Sequence, residues 1–555
     1  MENDKKSNSD QAFFFIIAMV LAAIIVNRYA HSFSLFIARH RFWVAGIISA
    51  SATTTWIAIR RRLVNKWEAL ELKRILFKRQ APDSIYAGRS KTGQSVFIPL
   101  SARRMHAQVV GTTNAGKTES VILPWAISDI REGRGLILID GKSDRALLDK
   151  LAAYCVMHNR IKDFRLLSLV NIAQSSTFNP LVGGSPEEIT ERVFSAFTFE
   201  DEYYRNQQYE VLKHVLMLFE TAHIAPTFQR LIQVISDPNQ LLEISKTSSN
   251  DLVKQWVSRF SGLTKDERER RSSGLVSQMG HFATGETALL FNEESPLIDM
   301  EQVLREGLIV YCQLPVLKTP MLGKATGKMV LQALQSAVSS RHLNEKKNVP
   351  FFGVYLDDFT EYLTPGFVSL LNKSRSANIG VTFAHQAQGD LAGLGDDVQN
   401  TIMTNSNLKV FMRTNEPETA EYFSRSLGTK RNVRTTERQR AGAFGKEKTG
   451  DGSIRDVEEF IHHPNLFKRE LGTGEAVMIV PFGRGNQSVH LKFEMLPDIP
   501  AIKLPVIYKA PCNPLQLSPQ TKLPQPKGEG ENSSPPTELL SPPSDQISQA
   551  LDGGI

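Results

Sequence analysis

The stretch that most constrains this chain is Gly111-Thr112-Thr113-Asn114-Ala115-Gly116-Lys117-Thr118, which satisfies G-x-x-x-x-G-K-[ST] at every fixed position. The apolar Ala107-Gln108-Val109-Val110 runs straight into it, and Glu119 to Ile127 behind it reads as the opening of a helix. Gly111 and Gly116 let the backbone curl so that successive N–H groups converge on phosphate oxygens, and the helix N-terminus adds its positive end. The eight residues are therefore candidates for nucleotide binding. Lys117 is placed to reach the β- and γ-phosphates of ATP, and the Thr118 hydroxyl to sit on Mg2+. The competing reading is a glycine-rich turn that merely precedes a helix.

A phosphate loop needs a carboxylate at a neighbouring strand end, and the chain has a candidate far downstream. Phe351-Phe352-Gly353-Val354-Tyr355-Leu356 is an apolar run that ends on Asp357-Asp358. Asp357 is the candidate magnesium ligand, through water, opposite Thr118, and Asp358 is the candidate for orienting and activating the attacking water. Two carboxylates at a strand end also serve as a helix cap, but their occurrence with residues 111–118 in one chain favours the catalytic reading. Arg375, at a helix end, is a candidate for reaching a neighbouring subunit's nucleotide, and Gln386, closing the strand Ile379–Gln386, for sensing the γ-phosphate or positioning the water. A surface arginine and a strand-end amide in a turn are the plain alternatives. Asp140, closing the apolar run Gly135–Ile139, reads equally as a helix cap or as a direct participant.

Further strand candidates are Phe164–Leu169, Gly307–Leu314, Asn407–Arg413 and Ala476–Val480, the last closing the sheet; helices are expected at Thr319–Asn344 and Thr419–Leu427. Continuous apolar strands alternating with helices predict an α/β fold around a parallel sheet. Residues 186–291 break that pattern with helical spacing, and read as an all-α insertion. Within it, Tyr203, Tyr204, Arg205, Tyr209 and Lys213 mix aromatics with bases, as a nucleic-acid surface does and as the start of an amphipathic helix also does. Residues 430–450 are basic and glycine-containing and read as a mobile loop.

With 555 residues the chain exceeds a single core. Its net charge of +7 leans weakly towards a polyanion, either nucleic acid or an anionic membrane surface. Three cysteines without metal-ligand spacing argue for a reducing compartment and against a disulfide framework or a zinc site. Two apolar segments, 12–29 and 42–59, predict a two-helix membrane hairpin, with Trp43 and Trp56 near the ends of the second and Arg60-Arg61-Arg62 marking the cytoplasmic side. The loop between the spans also carries Arg28, Arg39 and Arg41, which weakens that orientation. From Pro511 to Pro543 nine prolines stand among Ser, Gln, Glu and Gly, so the tail 511–555 is expected to be disordered.

Taken together, the hairpin, the 111–118 loop, the helical insertion, Leu356-Asp357-Asp358-Phe359 and the pair Arg375 and Gln386 resemble the type IV secretion coupling proteins, the TraD/TraG-like conjugative DNA translocases. Gly323-Lys324-Ala325-Thr326-Gly327-Lys328, Thr419-Ala420-Glu421-Tyr422-Phe423 and His463-Pro464-Asn465 carry the same look, and the resemblance covers residues 90–490 plus the hairpin. It implies a RecA-like P-loop NTPase core formed by residues 63–185 and 292–510, an all-α domain at 186–291, and an anchor at 1–62. It implies a homo-hexamer that hydrolyses ATP with Mg2+ at its subunit interfaces, at a bacterial inner membrane. The implied partners are DNA bound without sequence preference, a relaxase with its accessory DNA-processing proteins, and components of the secretion channel. By position, Lys117, Asp358, Gln386 and Arg375 take the catalytic roles and Thr118 and Asp357 hold the metal. The chain departs from the family pattern in having Asp358 where Glu is usual, and Met105, beside Arg104, where relatives often place Arg. Three other functions fit the same residues: an ATPase for protein effector export, a non-hydrolysing membrane cargo receptor, and a chromosome-segregation translocase.

Overall fold

The computed structural model describes residues 83–199, 201–343, 349–364, 366–442, 445–482, 485–497 and 499–507, with Val20 and Trp56. The two candidate spans otherwise lie outside these residues, as does the tail 511–555. Among the described residues no helix is long and apolar enough to cross a membrane.

Strands β1 (Ser84–Ser90) and β2 (Ser95–Pro99) precede β3 (Ala107–Val110), which feeds the glycine loop. Next come β4 (Gly135–Asp140), β5 (Phe164–Ser168), β6 (Ile309–Gln313), β7 (Phe352–Asp357), β8 (Ile379–His385) and β9 (Leu408–Phe411). The last four are β10 (Thr429–Gly442), β11 (Gly445–Phe460), β12 (Glu475–Phe482) and β13 (Gly485–Lys492). Eleven of them form one sheet in the order β2-β1-β13-β12-β9-β3-β8-β7-β4-β6-β5. From β9 to β5 every neighbouring pair is parallel, and β12, β13, β1 and β2 extend that sheet antiparallel.

The parallel part is apolar because both of its faces are covered. Alternate residues of one strand enter different cores. Leu136 and Leu138 of β4 join Trp125, Leu148 and Leu151 on one side. Ile137 and Ile139 join Phe359, Leu334 and the helices after β5 on the other. Those helices run from Pro186 to Phe291 between β5 and β6, and their Leu212, Phe219, Trp256 and Phe282 belong to the same core as the sheet's second face. Ser185 and Thr264 open two of them with capping boxes on Glu188 and Glu267, which satisfy end N–H groups that would otherwise lack partners.

Two expectations from the sequence are corrected. The described residues of the stretch 430–450 do not form a loop: residues 430–442 and 445–450 lie in an antiparallel ribbon of β10 and β11. The composition that suggested a loop is matched across the ribbon, where Lys430 stands opposite Glu459 and Arg431 opposite Glu458, favourable cross-strand charge pairs. Nor does the sheet close at residues 476–480. β13 folds back on β12, and β1 and β2, from the approach to the glycine loop, complete that edge.

Candidate functional site

β3 ends at Val110, between the C-terminal ends of β8 and β9. Gly111 follows and packs so closely on Met412 that a Cβ there would stand 2.8 Å from that residue's Cβ. Asn114 (φ 64°) and Gly116 (φ 96°) take left-handed conformations, which curl the loop back on itself. The chain then enters a wide, π-type turn at Lys117–Ile122 and continues as the helix Leu123–Arg131, so the loop sits at a helical N-terminus. Lys117 Nζ donates to the carbonyl oxygens of Gly111 (2.7 Å) and Thr112 (3.2 Å). Burial pulls its pKa below the ordinary lysine value, against the opposing charges of Asp358 and Asp357.

One strand, β8, separates β3 from β7, and the ends of all three meet. Thr118 Oγ1 donates to Asp357 Oδ2 at 2.6 Å, across 239 positions of sequence. The other carboxylate oxygen, Asp357 Oδ1, is buried with no hydrogen-bond partner. Burial raises the Asp357 pKa to about 6, with the Thr118 bond opposing the shift. An orphaned carboxylate oxygen beside a threonine hydroxyl, at the mouth of a glycine loop, fits a hard divalent cation such as Mg2+. Thr113 Oγ1 donates to Gln386 Oε1 at 3.0 Å, at the end of β8.

Asp358 stands beside Asp357 in a left-handed conformation (φ 48°), a costly one for a residue with a side chain. Its Oδ2 lies 2.7 Å from Lys142 Nζ. Lys142 follows β4, on a turn that Asp140 organises: the Asp140 carboxylate accepts the N–H groups of Lys142 (2.8 Å) and Asp144 (2.6 Å) and the Tyr311 hydroxyl (2.7 Å). Asp140 thus acts on the backbone of its own loop. Arg375 is exposed and lies before β8, at the end of the sheet opposite Gln386, so one chain does not bring it to the loop.

Three contributors were not singled out from the sequence. Lys142 is one; the signal was its place two residues after a strand-end aspartate. The others come from the turn before β12: Gly474 N–H donates to the Ala115 carbonyl (2.9 Å), and Thr473 Oγ1 to that of Asn114 (3.3 Å). They brace the glycine loop from the far part of the chain, and Gly-Thr-Gly alone carries no such message.

Comparisons with known proteins agree with the resemblance drawn from the sequence. Residues 352–466 match the family model described as the TraM recognition site of TraD and TraG. The chain is 22% identical to the type 4 coupling protein DotL of Legionella pneumophila over 407 residues, 62% of this chain and 52% of DotL. It therefore spans about half the length of that relative. Among solved structures it is similar to the plasmid coupling protein TrwB in complex with the GTP analogue GDPNP, with TM-score 0.55, 15% identity, and coverage of 77% of this chain and 92% of TrwB. TrwB in complex with ADP and Mg2+ gives TM-score 0.53, 15% identity and coverage of 77% and 93%. The α/β nucleotide-binding architecture is that of TrwB, with a large mixed sheet, and the chain is similar to type IV coupling proteins in both sequence and fold.

Proposed function

We propose that the chain is a membrane-anchored ATPase that couples a DNA-processing complex to a type IV secretion channel and pumps DNA, with its attached relaxase, during conjugation. The observation that carries this reading is the 2.6 Å contact between Thr118 and Asp357, which joins the glycine loop to the strand-end carboxylates at one site. The likeness to coupling proteins, TrwB among them with ADP and Mg2+ bound, supports the choice of ATP and magnesium and of this class of motor.

In this reading the loop N–H groups other than those of Gly111, Thr112 and Ala115, which already donate to protein carbonyls, bind the β- and γ-phosphates together with the Lys117 ammonium. Thr118 and Asp357 hold the magnesium ion, which when bound neutralises charge developing on the phosphate oxygens. Asp358 accepts the proton of the attacking water, and Gln386, tied to Thr113, reports on the terminal phosphate. Arg375 serves the site of the adjacent copy in a homo-hexamer. Segments 12–29 and 42–59 anchor the ring in the inner membrane. DNA is gripped through its phosphates with little sequence preference.

The test is ATPase activity of the full chain in detergent, with and without DNA. Turnover stimulated by DNA is expected, with a stimulation that falls as salt is raised. Lys117→Ala should lower kcat at least about a hundredfold, as loss of a preorganised charge at a reacting phosphate does. Undiminished turnover in Lys117→Ala refutes the site. Turnover indifferent to DNA refutes the pump.

A further inference from the structure

Lys142 has no part in the reading above, yet its contact with Asp358 is built from fixed pieces. The Lys142 backbone is fixed: its N–H is held by Asp140 Oδ1, and the following carbonyl, Ser143 O, accepts from Gln313 Nε2 at 3.2 Å. Ser143 (φ 62°) and Asp358 (φ 48°) both hold left-handed conformations, so two strained residues bracket the contact. The side chain, by contrast, is about half exposed, at 49%, while Asp358 is 15% exposed. A fixed backbone with a half-exposed ammonium is what a moving contact requires. The pair also lies inside the nucleotide site. Asp358 follows directly on Asp357, which touches Thr118, so a single strand end links Lys142 to the glycine loop. The charges of Lys117 and Lys142 act on each other and on both carboxylates.

We infer that Lys142 is a second phosphate-reading lysine: it holds the Asp358 carboxylate by an ion pair until a terminal phosphate draws its ammonium away. Asp358 is the carboxylate assigned to the water that attacks the γ-phosphate. The cation resting on it is therefore the one beside that phosphate, and distant from the α- and β-phosphates that the loop cradles. Occupancy by a nucleoside triphosphate replaces one anionic partner of Lys142 with another. Asp358 is thereby released for its task only when there is a γ-phosphate to attack, and a diphosphate leaves the pair closed. Lys142 makes the site discriminate between triphosphate and diphosphate, and restrains idle use of the base. This inference rests on the assignment of residues 111–118 and Asp357 to a magnesium-nucleotide site.

The experiment measures equilibrium binding of ATPγS and of ADP, each with Mg2+, to the full chain and three variants. Lys142→Met should weaken ATPγS at least about tenfold, the loss of one charge-assisted hydrogen bond to phosphate, while ADP binding stays within about twofold. Lys142→Arg should recover part of the loss. Asp358→Asn, which frees the lysine from its partner, should tighten ATPγS about threefold relative to ADP, in keeping with a partly exposed ion pair. Adding Lys142→Met to Asp358→Asn should abolish that gain. Equal weakening of both nucleotides in Lys142→Met would show a merely structural role and overturn the inference. So would unchanged affinity for both. A parent chain that binds neither nucleotide sinks the site itself, whereas a parent chain that binds both with no selective effect of Lys142 sinks this inference alone.

Discussion

His106 stands one residue before β3 with φ 59°, and its ring is buried. Its Nδ1 accepts the Val381 N–H at 3.2 Å and its Nε2 lies 2.8 Å from the Leu371 carbonyl, a pattern that only the neutral ring with a proton on Nε2 satisfies. Burial pushes its pKa down to about 4, the Leu371 carbonyl opposing and Arg375 adding to the shift. The unfolded chain takes up this proton near pH 6.5, and the folded chain only near 4. Over that window the unfolded state binds more protons, so stability falls as pH falls, by at most about 3 kcal/mol for this group. Asn tolerates the left-handed backbone and carries an oxygen near the Nδ1 position. His106→Asn should therefore fold and show a shallower loss of Tm between about pH 7 and pH 5 than the parent. Parallel slopes in the two proteins would remove His106 from the account. At this scale the sequence was legible where one residue type has one use. The spacing of Gly111, Gly116, Lys117 and Thr118 could be read directly, and the structure sets Thr118 against Asp357. Lys142, His106 and Gly474 were not legible, because a lysine, a histidine or a glycine in a turn is ordinary until the fold supplies its neighbour.

Strand and helix positions in the parallel part were readable from apolar runs, since burial on both faces leaves little choice of residue. The additions at the edge were not. β1, β2 and β13 are short, and the pairing that joins them to the sheet, β1 with β13, brings Arg89 opposite Lys492, hundreds of residues away. What ties the elements around β3 is a buried ion pair that no pattern announces. Arg103, at the end of the short Leu100–Arg103 turn, donates from Nη1 to Asp129 Oδ1 (2.7 Å) and from Nη2 to Asp129 Oδ2 (2.9 Å), and the Tyr355 hydroxyl adds a 2.6 Å bond to Asp129. Arg134 reaches the same carboxylate at 3.3 Å, and the Arg103 guanidinium lies 4.6 Å from the centre of the Phe351 ring. The approach to β3, the helix behind the glycine loop, and β7 are thus clamped together below the site. Removing Arg103 leaves the buried Asp129 carboxylate with only the longer Arg134 contact and the Tyr355 hydroxyl, so Arg103→Ala should cost about 3 kcal/mol. Thermal unfolding of the variant is the check, and a Tm within a degree or so of the parent would show that water or relaxation takes up the loss. Arg103 is buried, whereas its neighbour Arg104 is exposed.

At the scale of the whole molecule the position of Arg375 makes a demand that one chain does not meet. Gln386 and Arg375 flank β8 at opposite ends, and a seven-residue strand is about 20 Å long. Gln386 touches the glycine loop through Thr113, so Arg375 lies at the end of β8 away from that loop. Either it is a surface arginine without a part in hydrolysis, or it works on a second copy in a ring, as the proposed hexamer requires. The two cases separate cleanly. If it works in trans, Arg375→Ala should bind ATPγS as the parent does yet lose about a hundredfold or more in kcat, because an arginine of this kind acts on transition-state charge rather than on ground-state binding. Its defect should then be complementable. Lys117→Ala has a dead site but an intact Arg375, and Arg375→Ala has an intact site but no arginine to lend. Each homomer should be inactive. Rings assembled from a mixture should regain turnover, because in some interfaces a sound loop faces a sound arginine. The regained activity should vary with the mixing ratio and pass through a maximum between the two pure proteins. Mixtures as inactive as their components would place Arg375 outside the reaction. An active Arg375→Ala homomer would do the same, and the proposed hydrolysis would then have to be completed within a single chain.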